Sequence, residues 1–333
     1  MSNTDQAYNR ASPQEIDDLF EDSILEQYGQ YGAPIPKDAD SLCTLIARTA
    51  DTAAVELIWR RSSVLNGDIS HWAELLGFSE LDFADQIILT ARQAIFSYLL
   101  RETMEGTHGK KPETNTILDD IPQYAAPKKL DQVRDERGQW LNVDQPDVRI
   151  GELYEKLMPQ ESRQQLSHYR SPAAAGELMR SWANRGNGVL LDPGVGSGTL
   201  SAPSPTPRSS CPDPKLVVGV DRNPICKLMS MTALSLYNQP HEIIADDFFA
   251  LSASDLSHDI TGAIANPPYT SSRALPDGYV TELQQRVCGE NSKLSRNGGL
   301  YTYSILHTTK FLDDEGRFGL LVPQAWMNKS IRL

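Results

Sequence analysis

Four consecutive residues in the second half of the chain combine a side-chain amide, two prolines and an aromatic ring. Asn266-Pro267-Pro268-Tyr269 directly follows the apolar run Gly262-Ala263-Ile264-Ala265. Two prolines fix the backbone and remove two N–H donors. We therefore expect the Asn266 amide oxygen and the Pro267 carbonyl to point outward as paired acceptors. Paired acceptors suit a planar NH2 group, and the Tyr269 ring offers a stacking surface for a base. The segment predicts a site that holds an exocyclic amine.

A glycine-rich turn occurs earlier in the chain, immediately after the apolar run Val189-Leu190-Leu191. It reads Asp192-Pro193-Gly194-Val195-Gly196-Ser197-Gly198-Thr199. Gly194, Gly196 and Gly198 permit a tight turn and close approach of a ligand to the backbone. A phosphate-binding P-loop is not expected, because no Gly-Lys-Ser/Thr follows. Asp192 would repel phosphate but would attract a cationic ligand such as a sulfonium amino acid.

Two further acids follow the next two apolar runs. Asp221 comes after Leu216-Val217-Val218-Gly219-Val220, where an acid can hold the two ribose hydroxyls of an adenosine group. Asp246-Asp247-Phe248-Phe249 follows Glu242-Ile243-Ile244-Ala245. We predict that Asp247 bonds an adenine amine and that Phe248 flanks its ring. The structural alternative for Asp221 is an ordinary aspartate at the end of a strand. For residues 246–249 it is a solvated acidic turn followed by core aromatics.

In this order, the motifs over residues 165–333 resemble those of amino-methyltransferases, specifically the adenine-specific DNA methyltransferases of restriction-modification systems. The resemblance implies that S-adenosylmethionine is the methyl donor and that the substrate is an adenine flipped out of double-stranded DNA. It assigns Asn266, Pro267 and Tyr269 to catalysis, with Pro268 completing the tetrapeptide. It also assigns Asp221 to the cofactor ribose and Asp247 to the cofactor adenine.

A second segment of the same family precedes the glycine-rich turn. Tyr169-Arg170-Ser171-Pro172 resembles the family's Tyr-x-Thr-Pro segment, with Ser171 in place of threonine. The resemblance implies that Tyr169, Ser171 and Pro172 line the methionine end of the cofactor. Gly316 to Pro323, together with Trp326, resembles the fifth strand of these enzymes.

The sequence departs from the family pattern in two places. After Thr199 the family has an amphipathic helix, whereas prolines at 203, 205 and 207 are incompatible with a helix interior here. We expect this helix to be shortened or lost. The family sheet has seven strands, and the sequence ends just past the fifth. We therefore expect an incomplete catalytic core, whose partners include a C-terminal target-recognition piece or a restriction subunit.

The elements that must position these residues follow from apolar periodicity. Five short apolar runs alternate with helical segments from residue 165 onward, which is typical of buried parallel strands in an α/β sheet. We predict a Rossmann-like methyltransferase core over 165–333, a helical N-terminal region over 1–145, and a partly helical linker over 146–164. Helices are expected from Ser12, over Asp40–Ser63 and over Leu81–Glu105, with residues 106–150 forming a solvated linker.

Composition limits the function classes. The 333 residues are 40% hydrophobic and 23% charged, which is ordinary for a globular protein. The N-terminal sequence lacks the features of a signal peptide and no apolar run is long enough to span a membrane, so we expect a cytoplasmic protein. The four cysteines are scattered and contain no CxxC pair, so no metal site is expected. The net charge of −13 argues against extensive phosphate contacts.

Three functions remain open on the sequence. The first is a DNA adenine-N6 methyltransferase, or its catalytic fragment. The second is an RNA or protein-glutamine methyltransferase, because those enzymes share the Asn-Pro-Pro-Tyr tetrapeptide. The third is an inactive remnant that binds partners through the helical N-terminal region.

Overall fold

A computed structural model defines the fold of most of the chain beyond residue 40. The structure describes residues 41–60, 63–76, 78–109, 111–140, 143–158, 171–184, 188–203, 213–270, 277–289 and 299–322. The chain divides into two compact units. The first contains Met1–Thr103, Lys111–Gln139 and Leu153–Ser162, and the second contains Met104–Lys110, Trp140–Glu152 and Arg163–Leu333. The domain limits at 145 and 165 stay predictions.

The first unit is helical over its described residues. The helices of the N-terminal half of the chain are α1 Ser41–Arg60, α2 Ser63–Leu75, α3 Phe83–His108, α4 Pro127–Asp135, α5 Arg137–Trp140 and α6 Pro146–Leu157, with 3-10 turns at Ile117–Asp119 and Ile121–Tyr124. Helix α3 forms because Ile87, Ala91, Ile95 and Leu99 recur every fourth position and are at most 4% exposed. The two predicted helices that lie in this part are confirmed as α1 and α3, and the helix predicted from Ser12 lies outside the described residues.

Two features of this region differ from the sequence-based expectations. Helix α2 is not predicted, and its Asn66-Gly67 pair is typical of a turn. Its Ile69, Trp72 and Ala73 are all at most 3% exposed, so tertiary burial outweighs the local turn preference. The solvated linker predicted over 106–150 is wrong for residues 117–140, which form the two 3-10 turns, α4 and α5. Pro127 occupies the first turn of α4, where its fixed φ and missing N–H are tolerated.

The second unit contains a five-stranded parallel sheet. Its strands are β1 Val189–Pro193, β2 Leu216–Val220, β3 His241–Ile244, β4 Ile260–Ala265 and β5 Leu312–Leu320. The strand order is β3-β2-β1-β4-β5, and every neighbouring pair is parallel. The predicted α/β class and the five predicted strand positions are confirmed. Strand β5 begins earlier than predicted, because a register irregularity against β4 accommodates residues between Leu312 and Arg317.

Apolar side chains leave the two faces of this sheet in alternation, as the strand geometry requires. On one face, Leu190 and Ile264 pack against helix α7, Ala173–Ala183, and Val217 packs with Leu234 of helix α8, Pro224–Leu236. On the other face, Leu191, Val218, Val220 and Ala263 form a cluster with Phe248 and Phe311. Both faces are therefore covered by buried apolar contacts.

The remaining helices of the second unit lie between β4 and β5 in sequence. They are α9 Asp277–Leu283, which continues into a π-helical turn at Gln284–Cys288, and α10 Leu300–Thr309. No helix in the described part of the chain is both long and apolar enough to cross a membrane. Residues 199–203, after the glycine-rich turn, form turns rather than a helix, while residues 204–212 lie outside the described part.

Candidate functional site

The predicted site residues follow the carboxyl ends of four neighbouring strands. The glycine-rich turn follows β1, Asp221 follows β2, Asp247 follows β3, and Asn266 follows β4. The carboxyl ends of parallel strands meet at one edge of a sheet, where α/β proteins bind their ligands. The alignment of Leu191 with Ala263 in the β1–β4 pair places the starts of the turn and of the Asn266 segment at this same edge.

The glycine-rich turn adopts a backbone that other residues rarely accept. Gly194, Gly196 and Gly198 have φ angles of 85°, 55° and 84°, in the left-handed region that glycine enters without steric cost. The turn is secured to β2, because the N–H groups of Gly194 and Val195 both donate to the Val220 carbonyl, at 2.7 and 3.1 Å. A side chain added at Gly194 would meet nothing within 4 Å, so the turn leaves space for a ligand there.

Asp221 connects the turn to the end of β2. Its carboxylate accepts hydrogen bonds from the Gly196 N–H at 3.1 Å and from the Asn223 N–H at 2.9 Å. The Cys226 thiol also hydrogen-bonds this carboxylate. A carboxylate offers about four lone-pair sites, so one remains for a ligand hydroxyl. The position therefore agrees with the predicted ribose contact, which itself stays a prediction.

Asp192 lies fully buried beneath the turn. Its Oδ2 accepts a hydrogen bond from the Ser201 hydroxyl, whereas its Oδ1 has no hydrogen-bond partner among the described residues. Burial raises the pKa of the Asp192 carboxyl to about 7. The Ser201 hydrogen bond opposes this rise, the negative Asp221 adds to it, and the cationic Arg180 opposes it. An orphaned buried carboxylate oxygen is the type of group that a cationic ligand would satisfy.

Ser201, Arg180 and Gly176 are neighbours of the turn that the sequence analysis missed. Arg180 of α7 is only 7% exposed, and its guanidinium donates to the Leu200 carbonyl at 3.5 Å. Gly176 of the same helix approaches the turn so closely that a Cβ would lie 2.9 Å from the Thr199 carbonyl oxygen. An arginine in an amphipathic helix and a serine near prolines carry no local sign of these roles, which depend on tertiary contacts.

Asp247 and Phe248 occupy the turn after β3. The Asp247 carboxylate accepts a hydrogen bond from the Phe249 N–H at 3.0 Å and begins the 3-10 turn Phe248–Ala250. The Phe248 ring is 9% exposed and packs 5.1 Å from Phe311, measured between ring centroids. This packing favours the alternative of a core aromatic for Phe248, and its contact with a cofactor adenine stays a prediction.

Ser171 and Tyr269 hold the Asn266 side chain from two sides. The Asn266 Nδ2 donates to the Ser171 hydroxyl at 2.9 Å, and the Tyr269 hydroxyl donates to the Asn266 Oδ1 at 2.5 Å. The Tyr269 hydroxyl also lies 3.3 Å from the Leu321 carbonyl oxygen, so it is shared between two acceptors. Burial raises the pKa of the Tyr269 phenol, which keeps the hydroxyl protonated at neutral pH. The amide oxygen that we expect to receive the target amine thus already accepts one hydrogen bond, from the phenol.

The other predicted residues of this segment are placed as follows. Pro267 is buried and Pro268 half-buried, whereas Pro172 is exposed and precedes the first residue of α7. Tyr169 lies outside the described residues, as do Pro323 and Trp326. The structure therefore brings Ser171, rather than the whole Tyr-x-Ser-Pro segment, into contact with the tetrapeptide.

Comparisons with known proteins agree with this architecture. The match to a DrdV–DNA complex covers 94% of this chain and 36% of the DrdV chain, with 12% identity and a TM-score of 0.52. The type IIG restriction endonuclease BpuSI matches over the same shares, with 14% identity and a TM-score of 0.51. A type I restriction-modification methyltransferase subunit from Streptococcus thermophilus matches 85% of this chain over 74% of its own, with 15% identity and a TM-score of 0.44.

The chain has a Rossmann-like α/β fold similar to parts of the BpuSI and DrdV structures. At these low identities the similarity establishes the fold alone. This chain also spans only about a third of the DrdV and BpuSI chains. No family model and no curated protein matches the sequence.

Proposed function

We propose that this protein is a DNA adenine-N6 methyltransferase, or the catalytic part of one, that uses S-adenosylmethionine. The observation that carries the proposal is the position of Asn266-Pro267-Pro268-Tyr269. The tetrapeptide follows β4 at the sheet edge where the glycine-rich turn follows β1. An amine-holding group and a predicted adenosine-binding turn therefore lie on adjacent strands.

The residues around the turn suit the chemical groups of S-adenosylmethionine. The unpartnered Oδ1 of buried Asp192 suits the cationic methionine end, and the remaining lone pair of Asp221 suits a ribose hydroxyl. The positive-φ glycines leave the backbone open to close approach. Asp247 is our candidate for the cofactor adenine amine, and Ser171 and Pro172 for the methionine end. The cofactor supplies an electrophilic methyl group on its sulfonium.

The chain's own residues contribute positioning to the transfer. Tyr269 stacks on the flipped base, and Asn266 Oδ1 and the Pro267 carbonyl accept hydrogen bonds from its amine. These acceptors direct the nitrogen lone pair and stabilise the positive charge that grows on nitrogen. With S-adenosylmethionine bound, the amine so held would take the methyl group as the carbon–sulfur bond breaks, and its excess proton would pass to solvent.

DNA is favoured over the other proposed substrates by the comparisons and by the motif order. The DrdV structure, with a TM-score of 0.52, is a complex with DNA, and the BpuSI structure, with a TM-score of 0.51, is a restriction endonuclease. The Tyr-x-Ser-Pro segment and the β5 region support the same class. The expected partner is accordingly double-stranded DNA with an adenine-containing site, with a restriction subunit or target-recognition piece as a further partner.

Methyl transfer by an Asn266 series tests the proposal. The purified chain is incubated with S-adenosylmethionine and unmethylated genomic DNA, and N6-methyladenine is measured by mass spectrometry after digestion. Asn266→Ala should abolish transfer and leave cofactor binding nearly unchanged, because the amide contacts Ser171 and Tyr269 rather than the glycine-rich turn. Asn266→Asp keeps an acceptor oxygen and should retain part of the activity.

Three outcomes would contradict parts of the proposal. Equal loss of transfer and cofactor binding in Asn266→Ala would refute the role of Asn266. Transfer to RNA or to a glutamine-containing release-factor peptide, but not to DNA, would select the second function. Cofactor binding without transfer to any of these substrates would favour an inactive binding subunit.

A further inference from the structure

Asp192 and Ser201 form a buried pair directly beneath the glycine-rich turn. Both residues are 0% exposed, and the Ser201 hydroxyl donates to Asp192 Oδ2. In the described part of the chain nothing bonds to Asp192 Oδ1. A buried acceptor without a donor destabilises the fold by its desolvation cost, and the cost is larger for a charged group. The pair thus leaves one oxygen in need of a partner.

The turn after Gly198 explains why Ser201 reaches Asp192. The N–H groups of Ser201 and Ala202 both donate to the Gly198 carbonyl, at 3.0 and 2.8 Å, so the chain curls back over β1. The described residues here include Pro203, the first of the prolines that disfavour a helix. This tight turn brings the Ser201 hydroxyl within hydrogen-bond reach of Asp192 Oδ2.

We propose that Ser201 is a positioning residue for the cofactor, holding Asp192 Oδ2 so that Oδ1 faces the cationic methionine end of S-adenosylmethionine. This inference rests on the proposed cofactor. The inference gives Ser201 a role at the methionine end of the cofactor. It also requires that the ionised Asp192 carboxylate, rather than the protonated acid, binds S-adenosylmethionine.

The charged surroundings of Asp192 determine its protonation before the cofactor binds. Asp221 at the end of β2 disfavours the carboxylate, and Arg180 on α7 favours it. Cys226 on α8 stays a neutral thiol, because burial raises its pKa well above the ordinary value. With burial as the largest influence, the pKa of Asp192 is about 7, so the group is largely protonated at pH 6.

Cofactor binding is then coupled to proton release. A cation beside Oδ1 favours the carboxylate and lowers its pKa, so the complex forms with loss of up to one proton below pH 7. The affinity should rise by up to about tenfold per pH unit towards pH 7, because the free protein must lose that proton first, and then level off. Without the Ser201 donor, the pKa of Asp192 rises further and the plateau moves to higher pH.

Calorimetric titration with S-adenosylmethionine tests this coupling without any methylation assay. Titrations are run from pH 5.5 to 7.0 in two buffers of different ionisation enthalpy. The difference in binding enthalpy between the two buffers gives the number of protons released on binding. The range ends at pH 7.0 because an α-amine such as the cofactor's loses its charge near pH 8. The wild type should release close to one proton at pH 6, and its affinity should increase across the range.

Three substitutions separate positioning from structural damage. Ser201→Ala should weaken binding by about tenfold at pH 6 and about fivefold at pH 7, the effect of a one-unit rise in an Asp192 pKa of about 7. Ser201→Thr keeps the hydroxyl and should restore the wild-type pH profile. Asp192→Asn should bind weakly, release no proton through this site and show no pH dependence. Ser230→Ala is the matched control, because Ser230 is equally buried and its hydroxyl bonds only to main-chain carbonyls.

The outcomes distinguish this inference from the proposed function. Binding without proton release in the wild type, or a Ser201→Ala profile identical to that of the wild type, overturns the role of Ser201 and leaves the proposed cofactor standing. The absence of binding by the wild type at every pH overturns the proposed cofactor and this inference together. Near-ultraviolet circular dichroism of each variant verifies that the fold is retained.

Discussion

The contact between Tyr269 and Asn266 makes opposite predictions for two substitutions at the same position. The phenol hydroxyl donates to Asn266 Oδ1 at 2.5 Å, the atom that we propose receives the target amine. The hydroxyl holds one of the two lone pairs of this oxygen. Where the amine takes the same position, it displaces a neutral hydrogen bond worth about 1 kcal/mol, or about fivefold in affinity. Tyr269→Phe keeps the ring and removes this competition. We therefore expect kcat/KM for DNA methylation to be unchanged or raised by up to about fivefold.

The second substitution removes the ring itself. Stacking of a base on an aromatic side chain contributes about 1–3 kcal/mol, so Tyr269→Ala should lower kcat/KM by roughly 10- to 100-fold. The assay is the transfer of labelled methyl groups to a random-sequence duplex pool, with the Kd of S-adenosylmethionine measured in parallel as a control. A loss in Tyr269→Phe as large as that in Tyr269→Ala would refute the reasoning, because the hydroxyl rather than the ring would then be required.

Three further predictions concern the turn and its neighbours. Asp221→Asn should weaken S-adenosylmethionine binding by about 10- to 100-fold in calorimetry, because at least one charge-assisted hydrogen bond is lost. The control is Asp246→Asn, at an exposed aspartate after the next strand, which should bind the cofactor as the wild type does. Ser171→Ala should slow methyl transfer by about fivefold, because it removes one neutral hydrogen bond to the catalytic amide, and should raise the cofactor Kd, because we propose Ser171 for the methionine end; slower transfer with an unchanged Kd would remove Ser171 from the proposed cofactor site. Gly176→Ala should lower the melting temperature by several degrees, since overpacking costs about 1–3 kcal/mol, whereas Gly67→Ala, at a helical position with nothing within 4 Å, should not lower it.

Much of the site's location follows from motif order along the chain. The glycine-rich turn, Asp221, Asp247 and Asn266 each follow a short apolar run, and the carboxyl ends of parallel strands meet at one edge. The sequence therefore predicts both the strands and their common edge, and the structure confirms the parallel sheet. Strand β5 is predicted only in part, because its early residues are the exposed acids 313–315.

The helical region shows where periodicity is insufficient. Helix α3 is predicted because its apolar residues recur at helical spacing, whereas α2 contains an Asn-Gly pair that signals a turn. The burial of Trp72, whose indole donates to Gln93 at 2.6 Å, belongs to contacts that no local pattern encodes. The same limit applies to residues 117–140, whose two prolines and many charges resemble a linker.

The sequence by itself determined the class of fold and the order of the motifs, and it supplied the residues that we propose hold an amine or an adenosine group. It could do so because strand periodicity, glycine φ angles and proline restraints are properties of local backbone. Only the tertiary structure decided the partners of those residues. Ser171 reaches Asn266 across 95 positions, Ser201 turns back to Asp192, and Phe248 packs into the core. Such pairings depend on which side chains meet when the sheet and its helices pack together. Spacing along the chain does not give the distance in space between two residues that are far apart in sequence.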